Sequence, residues 1–285
     1  MKVAIIGANG QLGTDLCQVL SQDGHKVIAL NHTDIEITSI DSVNAALTST
    51  GADIVLNTAA YHVVPEAEKV PEKAFLINGV GTLNLAKICQ DKNIQLLHYS
   101  TDYVFDGKKM KPYNEDDCPN PLNVYANTKL SGEYFALNNC ERSFVVRVSG
   151  IYGRVPSRAK GGNFVSTMLK LAKEKPEVRV VNDEFLTPTP TLEIARSTAA
   201  LIKTEAFGLY HMSCKGEVSW YEFARTIWDT LKLETPLYPA SVKDFPLLVK
   251  RPFYSVLDNR NLRNIGLDRM PDWKTALVNF LHDYQ

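Results

Sequence analysis

The chain has 285 residues, 45% of them apolar, with 31 basic against 32 acidic side chains and a formal net charge of -1. That length suits one large α/β domain carrying a smaller lobe, and so even a charge balance argues against a broad nucleic-acid-binding field. No apolar run approaches the ~18 residues that a membrane span needs, so neither nucleic acid nor membrane is expected as a partner.

The opening stretch, Met1-Lys2-Val3-Ala4-Ile5-Ile6-Gly7, is a short apolar run ending in glycine. It reads as a buried strand over residues 3–6 and not as a signal peptide. A helix follows over 12–20, with Leu12, Leu16, Val19 and Leu20 on one face. Strands are predicted at 26–29, 53–57, 95–100 and 143–148, with helical stretches at 42–47 and 81–90 between them. Near-continuous apolar strands separated by helices predict a parallel sheet covered on both faces, and right-handed crossovers make it doubly wound.

The second half is less regular. A helix is predicted over 164–173 and a strand over 178–181, followed by Thr187-Pro188-Thr189-Pro190-Thr191. A further helix runs to 202, a strand covers 209–212, and Ser219 with Glu222 has the spacing of a capping box. An extended run at 250–257 and a helix over 271–281 close the chain. The expected fold class is therefore α/β, a doubly wound parallel sheet (Rossmann) with a smaller, partly interleaved C-terminal substrate lobe. Residues 1–150 and roughly 178–209 are assigned to the dinucleotide-binding domain, and roughly 151–177 and 210–285 to the lobe. With no Gly/Ser linker between them, the ligand site is expected in the cleft. Cys17, Cys89, Cys118, Cys140 and Cys214 are scattered without C-x-x-C spacing. Such usage fits a reducing cytoplasm, and no disulfide framework or metal is expected.

Gly7-Ala8-Asn9-Gly10-Gln11-Leu12-Gly13 is G-x-x-G-x-x-G between a strand and a helix. Glycines let the backbone approach a pyrophosphate, and the free N–H groups of the helix N-terminus face the phosphates. Glycine spacing alone is weak; its place after the first strand makes it a dinucleotide site. No Gly-Lys-Ser/Thr follows, so it is not a mononucleotide P-loop. Asn31 stands where an acidic residue usually holds the adenosine 2′-OH. No arginine stands nearby, and the balance tips slightly to NADPH, with NADH retained.

Tyr125-Ala126-Asn127-Thr128-Lys129 is Y-x-x-x-K, which on a helix puts both side chains on one face. A lysine ammonium beside the phenol lowers its pKa from about 10 and fits it for proton transfer. Such pairs arise often by chance. The strand-end hydroxyls of His98-Tyr99-Ser100-Thr101-Asp102-Tyr103-Val104-Phe105 give the pair meaning. At the carboxyl edge of an open sheet, either Ser100 or Thr101 is placed to hold a carbonyl oxygen. Glycine loop, strand-end hydroxyl and Y-x-x-x-K, in that order, form the specific pattern.

With these motifs the chain resembles the extended short-chain dehydrogenase/reductase superfamily and, more narrowly, the dTDP-4-dehydrorhamnose reductase family. Matching segments run along almost the whole chain: Gly7–Gly13, Asn57-Thr58-Ala59-Ala60-Tyr61, Ser100–Phe105, Tyr125–Glu133, Asn163-Phe164-Val165, Pro188-Thr189 and Arg251-Pro252 with Tyr254-Ser255. The resemblance implies an NAD(P)H-dependent oxidoreductase that reduces the 4-keto group of a nucleotide sugar in dTDP-rhamnose synthesis. It implies Thr101 as the carbonyl-binding hydroxyl, Tyr125 as acid, and Lys129 as its tuner and ribose ligand. Cofactor contacts are expected from Gly7, Asn9, Gly10, Gln11, Leu12, Gly13, Asn31, Ala59, Ala60, Tyr61, Tyr125 and Lys129. Substrate contacts are expected from Tyr103, Asn163 and Arg251. A guanidinium at 251 also makes independent sense, because it binds pyrophosphate bidentately. Some relatives dimerise, so a homodimer stands among the expectations, although no interface is evident.

Three segments depart from the family pattern. Arg147-Val148-Ser149-Gly150-Ile151-Tyr152-Gly153 has Gly150 where the family has Trp. Val64-Pro65-Glu66-Ala67-Glu68 replaces Val-Asp-Lys-Ala-Glu. Asp183-Glu184-Phe185-Leu186-Thr187-Pro188-Thr189 replaces Asp-Gln-x-Gly-x-Pro-Thr. All lie at or near the inferred sugar pocket. Alternatives follow from this. One is a reductase or epimerase acting on another nucleotide sugar. Another is a non-catalytic, cofactor-binding regulatory subunit of the same fold, like the β subunit of methionine adenosyltransferase. A third is a small-ketone reductase. Dehydratases of the superfamily carry Asp-Glu after the Thr, whereas Tyr103 follows Asp102 here.

Overall fold

A computed structural model describes residues 1–157, 159, 161–246 and 249–284. Its elements, in order, are β1 (Lys2–Ile6), α1 (Gln11–Gln22), β2 (Lys26–Leu30), α2 (Ile40–Thr50), β3 (Ile54–Asn57), α3 (Val64–Lys69), α4 (Pro71–Phe75), a π-helical turn (Leu76–Val80) and α5 (Gly81–Asp91). Then come β4 (Gln95–Thr101), α6 (Val124–Asn139), β5 (Ser143–Val148), β6 (Ile151–Tyr152), α7 (Phe164–Glu174), β7 (Val178–Val181), β8 (Phe185–Leu186), β9 (Thr189–Pro190) and α8 (Thr191–Leu201). The chain ends with β10 (Gly208–His211), β11 (Val218–Ser219), α9 (Trp220–Leu231), β12 (Leu237–Ala240), α10 (Arg260–Asn264) and α11 (Trp273–Tyr284).

Six strands form one sheet in the order β10-β5-β4-β3-β1-β2, and every pairing is parallel. β1 and β3 are apolar along most of their length, and every residue of β4 is buried, because both faces are covered. On one face Leu12, Leu16 and Leu20 of α1 pack with Ile194, Ala195 and Ala199 of α8. On the other, Val43 and Leu47 of α2 pack with Leu85 and Ile88 of α5 and Ala136 of α6. From β1 the chain steps outward to β2, then returns across β1 to β3. That reversal opens a crevice at the carboxyl ends of β1 and β3, the usual ligand position in such sheets.

The smaller lobe has its own core, in which Val165 and Met168 of α7, Phe223 and Ile227 of α9 and Leu277 and Leu281 of α11 meet. The division expected from the sequence differs at two strands. β7 pairs with β12 and buries Val178 and Val180 in this lobe core, not in the main sheet. β10 extends the main sheet through Tyr210 and His211. Both differences have one cause: a short apolar strand carries no record of which partner it will meet. Among the described residues no helix is long and apolar enough to cross a membrane.

Candidate active site

The glycine loop leaves β1 and enters α1. Gly7 has φ +77°, and a Cβ there would lie 2.6 Å from Thr58 Oγ1. A Cβ on Gly13 would lie 2.2 Å from the Gly7 carbonyl oxygen. Both positions need glycine for the loop to close on itself. Gly10 caps α1 with no side-chain hydrogen bond, and the first turn holds no acidic residue. The N–H groups of that turn are therefore not spent on the protein's own carboxylates, as an anion site requires. Asn9 lies in the turn, and the Leu12 side chain points into the core. Gln11 lies across the loop, donating to Ile151 O at 3.3 Å. At the end of β2, Asn31 Oδ1 is buried without a hydrogen-bond partner, an orphan acceptor that a ribose hydroxyl would satisfy. Ala59 and Ala60 follow β3 as half-buried residues. Ala59 N–H is fixed by Asn57 Oδ1 at 3.2 Å, and Tyr61 N–H by Asn78 Oδ1 at 2.8 Å. These features fit a dinucleotide lying across the β1–β3 crevice.

β4 ends at the same edge. Alternation along the strand separates the two hydroxyls that the sequence left as competitors. Ser100 turns under α6 and donates to Glu133 Oε1 at 2.5 Å, while Glu133 forms a buried bidentate pair with Arg147 at 2.9 and 2.6 Å. Thr101 faces the cleft. Its hydroxyl donates to Asp102 Oδ1 at 3.1 Å and accepts from Tyr103 N–H at 3.2 Å. Asp102 is a node that motif reading missed. Ser149 and Ser255 both donate to its Oδ2, at 2.8 and 2.6 Å, so one carboxyl ties together β4, the turn after β5 and the C-terminal segment. Burial raises its pKa, and the hydrogen bonds from Ser255, Ser149 and Thr101 oppose that rise.

Tyr125 lies in the first turn of α6, whose N-cap Asn123 accepts from Ala126 N–H at 2.9 Å. Asn123 Nδ2 also donates to Lys250 O at 3.0 Å, tethering the residue before Arg251 to the catalytic helix. The Tyr125 ring meets Tyr103 edge-on, with centroids 6.2 Å apart. Burial pushes its phenol up to about 12, a hydrogen bond with Thr101 lowers it, and Asp102 raises it. The resting protein thus holds the phenol protonated.

The hydrogen bonds of Lys129 run to β4 and not to this phenol. Lys129 is on the same face of α6, but its Nζ donates to Tyr99 O at 2.6 Å and meets His98 Nε2 at 3.2 Å. Burial brings the amine down to about 8, with Glu133 pulling the other way. Helical spacing sets where a Cβ points; a long, flexible side chain goes to its best acceptor, here a strand carbonyl.

The sugar side of the cleft is assembled from distant segments. Arg251 acts electrostatically on Tyr103 and Glu184. Burial raises the pKa of Glu184, and Arg251 opposes that rise. Trp220, which also interacts with Glu184, stacks on Phe164 with centroids 4.5 Å apart. Gly150 has φ +50°, and a Cβ there would lie 2.6 Å from Leu186 Cδ1. Two of the positions that depart from the family pattern, 150 and 186, therefore lie against each other. Asn163 is also revised: its amide nitrogen donates to Gln11 Oε1 and Gly153 O at 3.1 and 2.8 Å, and its oxygen caps Ser166 N–H at 3.0 Å. Both of its donors are spent in joining α7 to the glycine loop. A concavity of about 920 Å³ lined by Asp15, Arg154, Thr191 and Phe280 among others holds none of Thr101, Tyr125, Lys129 and Arg251.

A family model described as the RmlD substrate binding domain matches residues 1–285. The chain belongs to the dTDP-4-dehydrorhamnose reductase family. Within this family, the spore coat polysaccharide biosynthesis protein SpsK of Bacillus subtilis is 39% identical over 99% of this chain and 97% of its own. The dTDP-4-dehydrorhamnose reductase of Escherichia coli is 32% identical over 99% and 98%. Among solved structures, the dTDP-4-dehydrorhamnose reductase of Bacillus anthracis in complex with NADP superposes with TM-score 0.94 at 34% identity, covering 100% of this chain and 99% of that one.

Proposed function

We propose that this member of the reductase family uses a nicotinamide dinucleotide, NADPH in preference to NADH, to reduce the 4-keto group of a dTDP-linked deoxysugar, the last reduction in making dTDP-rhamnose. The observation that carries this is the meeting of Thr101, at the carboxyl end of β4, with buried Tyr125, in the first turn of α6, at the sheet edge where the glycine loop leaves β1. When bound, the dinucleotide supplies hydride to the carbonyl carbon. Thr101 rotates its proton from Asp102 to the carbonyl oxygen, and Tyr125 delivers its phenolic proton as that oxygen becomes an alkoxide. Because burial keeps the phenol protonated, it enters as an acid. Lys129 supplies the ribose-side amine and restores the tyrosine's proton. Arg251 and Tyr103 receive the nucleotide-sugar side. The family relatives named above and the NADP complex of Bacillus anthracis support this reading.

The test is NADPH oxidation with dTDP-4-dehydrorhamnose as substrate. Wild-type turnover is expected, and Tyr125→Phe should lower kcat by about 10²–10⁴-fold with NADPH binding retained. Binding of NADPH without turnover on a panel of nucleotide 4-ketosugars would replace this reading with the regulatory-subunit one.

A further inference from the structure

His98, midway along β4, and Asn57, the last residue of β3, are buried polar residues, and neither carries a role in the reductase chemistry described above. Register places them side by side on β4 and β3. Asn57 Nδ2 lies 3.1 Å from His98 Nδ1, and His98 Nε2 lies 3.2 Å from Lys129 Nζ. Gly132 on α6 makes room for the imidazole, since a Cβ there would lie 3.1 Å from Nε2.

Counting protons along this line gives a definite answer. Asn57 Oδ1 accepts from Ala59 N–H at 3.2 Å, which fixes the amide so that its NH₂ faces His98. An NH₂ group only donates, so Nδ1 accepts. The neutral imidazole then carries its proton on Nε2, facing Lys129. An ammonium has no lone pair to receive that proton; a free amine has one. With Lys129 protonated, either two donors face each other at Nζ or two donors face each other at Asn57. One hydrogen bond of a buried chain is lost whenever the amine is charged.

We propose that His98, held in its Nε2–H tautomer by Asn57, is a positioning residue that favours the free amine of Lys129, so that the ammonium formed when Lys129 takes up a proton gives that proton up readily to Tyr125. His98 neither gains nor loses a proton. Lys129 takes one from solvent between turnovers and passes it to the phenolate left when Tyr125 protonates the substrate oxygen. The lowered pKa of Lys129, which burial explains first, agrees with this arrangement. The titratable groups around Lys129 are His98 on β4, in contact with it, Glu133 one turn on along α6, and Tyr125 one turn before it on the same helix. Glu133 is neutralised by Arg147 of β5, Asp102 faces Tyr125, and Asn57 and the Tyr99 carbonyl carry no charge. This inference rests on the proposed reductase reading for its kinetic consequence, but not for its structural content.

Nitrogen-15 NMR of the full-length protein, labelled at histidine, reads the tautomer directly. The proton is expected on His98 Nε2; finding it on Nδ1 overturns the proposal. Asn57→Asp keeps the Ala59 contact and offers an acceptor to Nδ1, so the proton should move to Nδ1. In turnover assays the alkaline limb of kcat should rise by about one pH unit or more in Asn57→Asp and in His98→Gln. Limbs that stay in place, with kcat lowered equally at every pH, would reduce His98 to packing. Absence of turnover in the wild type would remove the reductase reading while leaving the tautomer measurement to decide this one.

Discussion

Thr101, Tyr125 and Lys129 come from two regular elements, whereas Gly150, Glu184, Leu186 and Arg251 come from separate stretches of loop and two-residue strand. The first wall of the cleft is set by the hydrogen-bond ladder of a parallel sheet and one helix. A change in one side chain cannot slide β4 or α6, so geometry there is held by backbone. The second wall is set by side chains filling each other's space. It is open to paired substitutions that leave the sheet undisturbed, and positions 150 and 186, which lie against each other, are where such a pair can be made. Chemistry and substrate choice therefore sit on parts of the molecule with different freedom to change.

The comparison breaks if the second wall proves as rigid as the first. The largest effect is expected for Gly150→Trp, which meets Leu186 and the Pro188 backbone and places a side chain at positive φ. It should cost about 2–5 kcal/mol in urea unfolding. Adding Leu186→Gly should return at least about 1 kcal/mol, measured as a double-mutant cycle. Strict additivity would show that the two positions do not share one space. Next in size, Arg251→Ala should raise KM for a nucleotide diphosphate sugar about 10–100-fold with kcat nearly unchanged. An equal loss for a neutral ketone would detach Arg251 from the diphosphate. The smallest effect is expected at the far end of the crevice. Asn31→Asp should shift the ratio of kcat/KM for NADH over NADPH by about 10-fold toward NADH, since a carboxylate accepts from a 2′-hydroxyl and repels a 2′-phosphate. An unchanged ratio would place cofactor choice elsewhere, away from the orphan acceptor of β2.

Reading along the chain located the glycine loop, the strand-end hydroxyl and the Y-x-x-x-K helix, because each needs residues only a few positions apart. It missed Asp102, His98 and Asn57. The signal for the last two was present, as polar side chains within and at the end of strands covered on both faces, where a buried polar group must have a partner. What the signal lacked was the partner. It also gave Asn163 to the substrate, where the structure spends both its donors on Gln11 and Gly153.

From the residues alone came the parallel sheet, the ligand edge and the order of the chemical groups, since apolar periodicity, glycine placement and helical spacing are local properties of the chain. Tertiary structure decided which strand β7 would join, where the Lys129 amine would point, and that Leu186 would occupy the place beside Gly150. Those outcomes depend on contacts between residues from 30 to 59 positions apart, and packing selects such partners by shape and hydrogen-bond geometry, which no short window of sequence contains.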